Sequence, residues 1–180
     1  MIAGVGGQGT VLASKLIAAA AIKKGFDVRT TETIGMAQRG GSVFGHVRVG
    51  GPAGDNIFSP IIPLGGADAL IGFEPAETVR QLPFLRDGGS VIVYNSGNSE
   101  MIKFLKENVK KLIVVESLSL TAHNVKTLNV FLLGAAVKNG ILPFDAETLK
   151  QVLTETLPER FLEMNLKAFE GGLHGHTGSD

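Results

Sequence analysis

The 180-residue chain contains no cysteine and no tryptophan, and aromatic residues make up only 6% of it. Without cysteine there can be no disulfide, no thiolate nucleophile and no cysteine-ligated iron–sulfur cluster, so any such cluster must belong to another chain. Net charge is missing too. Seventeen Lys and Arg balance 17 Asp and Glu, leaving no field to draw the chain to nucleic acid or an acidic membrane surface. Apolar residues reach 44%, yet they fall in runs too short to span a bilayer. The opening stretch MIAGVGG lacks the charged-then-apolar order of a secretory signal. These absences point to a cytoplasmic protein with one domain-sized core.

What the chain does have is glycine, and it is clustered. In GVGGQG, Gly4, Gly6 and Gly9 follow the spacing of a dinucleotide fingerprint, in which glycines let the backbone approach a pyrophosphate at a helix N-terminus. The same spacing arises wherever a strand turns sharply into a close-packed helix. Glu32 lies near where a nicotinamide site places its ribose-binding acid, which keeps open a stand-alone NAD(P)- or flavin-binding oxidoreductase. A cap or an ion pair explains Glu32 as well. A ligand-free interaction module, its glycines serving only packing, is the third alternative.

Apolar runs alternate with helical stretches along the chain. Met1–Ala3 reads as the end of a first strand; either the sheet begins at its edge here, or the strand begins ahead of Met1. Thr10–Lys24 reads as a helix with Thr10 in the N-cap region and Gly25 past its end. Strands are expected at Phe26–Thr31, Ser42–Val49, Ala67–Phe73, Ser90–Asn95 and Leu112–Ser117. Helices are expected at Pro75–Leu85, Ser99–Val109, Val125–Asn139, Asp145–Leu157 and Glu159–Glu170. This order predicts a three-layer α/β/α sandwich with a largely parallel, Rossmann-like sheet over residues 1–170, followed by a flexible tail over 171–180. The tail's His174 and His176 lack a nearby carboxylate pattern, and no metal site is expected. His46 alternates with the Val43, Val47 and Val49 face of its strand and reads as structural. Asn129, inside a helix, is expected to hydrogen-bond at a packed contact. Asn95 and Ser96 end a strand at the glycine-loop edge, where a turn or a cleft wall would use them. Two apolar stretches, Ser59–Gly66 and Val130–Val137, are expected to leave partner-binding surface exposed.

GVGGQG with its helix, ETIGMAQRGGSVFGHVRVG (Glu32–Gly50) and SPIIPLGGADALIGFEPAE (Ser59–Glu77) together resemble the small subunit of indolepyruvate ferredoxin oxidoreductase. More broadly, they resemble the gamma subunit or domain of the 2-oxoacid:acceptor oxidoreductases. The resemblance implies an enzyme complex that converts a 2-oxoacid and coenzyme A to acyl-CoA, carbon dioxide and reduced ferredoxin. Thiamine diphosphate, magnesium and iron–sulfur clusters would lie on a large partner subunit, ferredoxin would be met through the complex, and this chain would be a non-catalytic component. No Gly-Asp-Gly stretch followed by a metal-liganding asparagine is present to hold a diphosphate-bound magnesium. The candidate contact residues are Gly6, Gly7, Gln8, Gly9, Gln38, Arg39, Gly40, Gly41 and Ser42. Either Met36–Ser42 approaches the large subunit near thiamine diphosphate, or it joins the Gly6–Gly9 amides around coenzyme A phosphates, with the Arg39 fork suited to an anion. An interface ion pair or tight turns would use the same residues. Alone, the chain is expected to be inactive and able to form a homodimer.

Overall fold

In a computed structural model, residues 1–35, 40–51, 57–116 and 125–175 are described. The elements run β1 (Ile2–Val5), α1 (Thr10–Lys23), β2 (Val28–Ile34), β3 (Ser42–Val49), β4 (Ala67–Gly72), α2 (Pro75–Gln81), β5 (Leu85–Asn95), α3 (Ser99–Asn108), β6 (Lys111–Glu116), α4 (Leu128–Lys138), α5 (Ala146–Thr156) and α6 (Glu159–His174). One six-stranded sheet has the order β2-β3-β1-β4-β5-β6. Strands β1, β4, β5 and β6 are mutually parallel, whereas β3 is antiparallel to both β1 and β2. The expected α/β/α layering and largely parallel sheet are therefore present.

β1 is not an edge strand as one expectation had it, because it lies between β3 and β4. Its Ile2 and the buried faces of α1, α4, α5 and α6 form one core, centred on Leu16, Phe131, Leu132 and Phe169. On the opposite face, Met1, Ala3, Leu70, Val91 and Val93 pack with Ile102 and Leu105 of α3. Burial on both faces explains why these strands read as continuous apolar runs.

Element ends moved for local reasons. Gly9, in the left-handed region at φ 80°, caps α1, so Thr10 is the first helical residue and not the cap. Past Gln81 the chain tightens into a 3-10 turn over Leu82–Phe84, and β5 begins at Leu85, five residues ahead of Ser90. A 3-10 turn at Val125–Thr127 likewise replaces the start of the expected long helix. Asp145 caps α5 as expected, its carboxylate accepting the Thr148 N–H at 2.8 Å. The last helix runs on to His174, through the first four residues assigned to the tail. The cause is close packing on α4: a Cβ on Gly134 would strike the Phe169 carbonyl, and one on Gly172 would strike the Phe131 carbonyl. Residues 176–180, including His176, lie outside the described set. Among the described residues, no helix is long and apolar enough to cross a membrane.

Candidate functional site

β1 ends at Val5, at the carboxyl edge of the parallel strands, where ligands collect in sheets of this kind. Beyond Val5 its ladder with β3 continues into both glycine loops: Gly6 N–H donates to the Gly41 carbonyl at 2.8 Å, and Gly40 N–H donates to the Gly6 carbonyl at 3.5 Å. Two motifs more than 30 positions apart are thereby laid side by side. Gly6, Gly7, Gln8, Gly9, Gly40, Gly41 and Ser42 are brought together; Gln38 and Arg39 lie outside the described residues.

The first loop is closed from within. Gln8 folds back so that its Oε1 accepts the Val5 N–H at 2.9 Å, and its Nε2 donates to the Phe73 carbonyl at 3.3 Å. Gln8 N–H also donates to the Val5 carbonyl at 3.2 Å. The Gln8 carboxamide thus acts as a clamp, and Gly4 must lack a Cβ because one would sit 2.7 Å from Gln8 Oε1. The amides of Gly6 and Gln8 are spent inside the protein, which leaves those of Gly7 and Gly9 and of the first turn of α1 as the loop's remaining backbone donors. No side chain caps that turn, so it is the natural place for an anionic group.

Three features meet at that turn. Gly9 adopts φ 80°, and a Cβ there would collide with the Asn129 carboxamide. Asn129, buried at the start of α4, donates from Nδ2 to the Gly9 carbonyl at 3.4 Å and accepts the Val130 N–H at 2.9 Å. This is the packed contact expected of it. Thr10 is buried, and its Oγ1 is an interior polar atom with no hydrogen-bond partner among the described residues. Such orphans are uncommon in folded proteins and call for a ligand or water.

The second loop is braced from the side. Ser42 Oγ donates to Glu77 Oε2 at 2.6 Å, and Arg80 Nη1 donates to Glu77 Oε1 at 2.7 Å. Glu77 is buried on α2, which Glu74 caps by accepting the Glu77 N–H at 2.7 Å. Sequence reading missed Glu77, Thr10 and Asn129 as site residues. The FEPAE stretch carried the signal for Glu77, since a helix start beside a strand's carboxyl end must face the neighbouring loops.

Other candidates resolve structurally. His46 is buried; its Nδ1 accepts the Ile62 N–H at 3.2 Å, and its ring meets Phe44 and Phe84 edge to face. Burial pushes its pKa down, and the nearby Met1 ammonium pushes the same way. Asn95 forms a turn, accepting the Gly97 N–H at 3.0 Å. Glu32 sits on the edge strand β2, separated from β1 by the antiparallel β3. A nicotinamide site needs its acid on a strand next to and parallel with β1, so the topology removes the support Glu32 gave to that alternative. The sequence has no cysteine to ligate an iron–sulfur cluster, and among the described residues no group of three or more His, Asp or Glu is placed to hold a metal ion.

Part of the exposed apolar surface lies in one of the two expected stretches, Ser59–Gly66, where Ile61 and Leu64 are exposed; Phe58 just ahead of that stretch, and Ile22, Phe104 and Phe161 elsewhere, are exposed as well. Phe58, Ile61 and Leu64 stand out from the segment between β3 and β4, while Ile62 anchors it in the core and Arg48 Nη1 holds the Ser59 carbonyl at 2.8 Å. The other stretch, Val130–Val137, is instead core: α4 is buried almost all round against α6 and the sheet.

Residues 1–174 match the family profile described as pyruvate ferredoxin/flavodoxin oxidoreductase. The chain is 34% identical to the indolepyruvate oxidoreductase subunit IorB of Pyrococcus horikoshii, over 96% of this chain and 93% of that protein. Its fold is similar to that of the gamma subunit of a keto/oxoacid ferredoxin oxidoreductase from Geobacter sulfurreducens, with a TM-score of 0.68 and 23% identity, over 95% of this chain and 93% of the other. A 2-oxoglutarate:ferredoxin oxidoreductase from Magnetococcus marinus, solved with 2-oxoglutarate, coenzyme A and succinyl-CoA bound, contains the same fold in 29% of its chain. That match has a TM-score of 0.73 and 21% identity, and it covers 96% of this chain.

Proposed function

This chain belongs to the pyruvate ferredoxin/flavodoxin oxidoreductase family, and we propose that it is the non-catalytic, gamma-type subunit of an arylpyruvate-oxidising complex. In this reading a large partner subunit carries thiamine diphosphate, magnesium and iron–sulfur clusters, and hands electrons to ferredoxin in the cytoplasm. The observation that carries it is the 34% identity to an indolepyruvate oxidoreductase subunit along nearly the whole of both chains. The composition is in keeping with this reading, since the sequence has no cysteine to ligate a cluster.

The paired glycine loops are the part of this subunit that meets the chemistry. Coenzyme A, when bound to the complex, supplies the thiol that accepts the acyl group. The role proposed for this chain's residues is to hold one of its phosphates, with the first-turn amides of α1 and Thr10 Oγ1 as donors and Arg39 as counter-charge. The buried, partnerless Thr10 hydroxyl supports an anionic ligand there. Phe58, Ile61 and Leu64 supply apolar contact to the large subunit, or to a second copy of this chain when that subunit is missing. Calorimetric titration with coenzyme A tests the ligand reading, using the reconstituted complex with native and Thr10→Val subunits. Weaker binding with unchanged assembly supports it; equal affinity removes Thr10 from the site.

A further inference from the structure

Among the described residues Glu77 is the one buried acid. It stands third in α2, behind Pro75 and Ala76, where a glutamate often folds back onto the residue that caps the helix. Its carboxylate is instead taken by other side chains, Arg80 Nη1 at 2.7 Å and the Ser42 hydroxyl at 2.6 Å. Arg80 is mostly exposed, and a pair open to solvent on one side offsets little of the cost of burying a carboxylate. The short, charge-assisted bond to Ser42 is therefore the contact that accounts for a carboxylate at this place.

The two ends of that bond differ in what holds them. α2 is seated hard on the sheet: Thr78 is fully buried, its Oγ1 donates to the Glu74 carbonyl at 2.7 Å, and a Cβ on Gly72 at the end of β4 would strike it. Glu77 thus rides on a fixed element. Ser42 closes the neck of the second glycine loop, its carbonyl accepting the Gly35 N–H at 2.9 Å. A Cβ on Gly35 would lie 2.9 Å from that carbonyl oxygen, so the neck has no slack. Toward the first loop, the backbone bonds lengthen from 2.8 Å at Gly41 to 3.5 Å at Gly40. The Ser42 hydroxyl is the point at which a side chain ties this neck to a helix.

We infer that Glu77 is a positioning residue for the reaction: through Ser42 it holds the second glycine loop against the first, in the arrangement in which the pair meets coenzyme A. This role rests on reading the glycine loops as the coenzyme A contact, and within it Ser42 belongs to the brace and not to the ligand. Glu77 acts only through Ser42 and touches no reacting atom. Its removal therefore acts on the use of coenzyme A and leaves the chemical step on the large subunit intact.

The test follows native, Glu77→Ala, Glu77→Gln and Ser42→Ala forms of the full chain by two readouts. The first is amide exchange at Gly6 and Gly35, relative to the amides of β5; the second is KM for coenzyme A and kcat in the reconstituted complex. Glu77→Ala and Ser42→Ala are expected to speed exchange at both amides by about tenfold or more. They should also raise KM by about tenfold with kcat little changed. Glu77→Gln keeps an acceptor for the Ser42 hydroxyl and should stay near native in both. A subunit that was merely less stable would lower kcat with the amount of intact complex and leave KM alone. If Glu77→Ala does not fold, Ser42→Ala carries the same comparison. Unchanged relative exchange in the alanine forms, or a Glu77→Gln form as impaired as Glu77→Ala, overturns the role of Glu77. Faster exchange with a native KM overturns instead the reading that these loops meet coenzyme A, and the role in the reaction falls with it.

Discussion

Ser42 Oγ donates to Glu77 Oε2 at 2.6 Å, linking the second glycine loop to α2 through a carboxylate that is only 6% exposed. Deleting either partner is expected to cost about 1–3 kcal/mol, the range for a hydrogen bond to a buried charged group. Ser42→Ala and Glu77→Ala should be less than additive, with a coupling of roughly 1–2 kcal/mol. Urea unfolding of the two single variants and the double variant measures this; strict additivity would mean the two groups do not interact.

Gly9 and Gly7 both adopt positive φ, at 80° and 100°, but only Gly9 has no room for a methyl group. Gly7→Ala is expected to cost about 1–2 kcal/mol, from backbone conformation alone. Gly9→Ala should cost clearly more, because its Cβ meets the Asn129 carboxamide. Adding Asn129→Ala should recover part of that excess while leaving the Gly7→Ala cost unchanged, as read from thermal midpoints.

Much of the fold was legible because it rests on local pattern. The Ser42–Val49 strand was read with its observed limits, and Asp145 capped α5 as its side chain predicted. What was not legible came from tertiary contact. The start of the tail read as disorder because nothing in sequence shows that Gly172 packs against the α4 backbone at Phe131 and Ala135, or that Gly134 of α4 packs against Phe169 and Leu173. Val130–Val137 read as a partner surface because a helix apolar all round is equally consistent with an interface and with the core. At the site, the glycines announced both loops, whereas the Ser42–Glu77 brace and the Gly9–Asn129 contact join residues 35 and 120 positions apart.

The apolar segment between β3 and β4 separates folding from association. Phe58 is 93% exposed and Leu64 71% exposed. Phe58→Ser with Leu64→Ser is expected to change stability by under about 0.5 kcal/mol. The same pair should weaken capture of the large subunit by about tenfold, or ~1.4 kcal/mol. Binding kinetics on an immobilised large subunit, set beside thermal unfolding of the isolated chain, checks both halves.

Acidification should destabilise the isolated chain well above the carboxylate range. The Met1 ammonium is held down to a pKa of about 5 from 8.0 by burial, and the His46 pKa is also lowered from 6.5, by burial first and the Met1 charge second. Both groups bind protons more readily when unfolded, so their contribution is fully present above about pH 8 and is lost as the pH falls toward about 5. Asp145, whose pKa is lowered chiefly by the Lys24 hydrogen bond, acts only below its ordinary 3.8. Urea midpoints are therefore expected to fall between about pH 8 and pH 5.5, and the His46→Phe variant should show a shallower fall below about pH 6.5.

Reconstitution tests the subunit assignment most directly. This chain, the large subunit and their mixture are each assayed for indolepyruvate- and coenzyme A-dependent reduction of an artificial electron acceptor. The isolated chain should be colourless and inactive, and adding it to the large subunit should produce or sharply raise turnover, saturating at a fixed subunit ratio. Substrate-dependent turnover by the isolated chain, or a large subunit whose activity does not respond to it, would contradict the assignment.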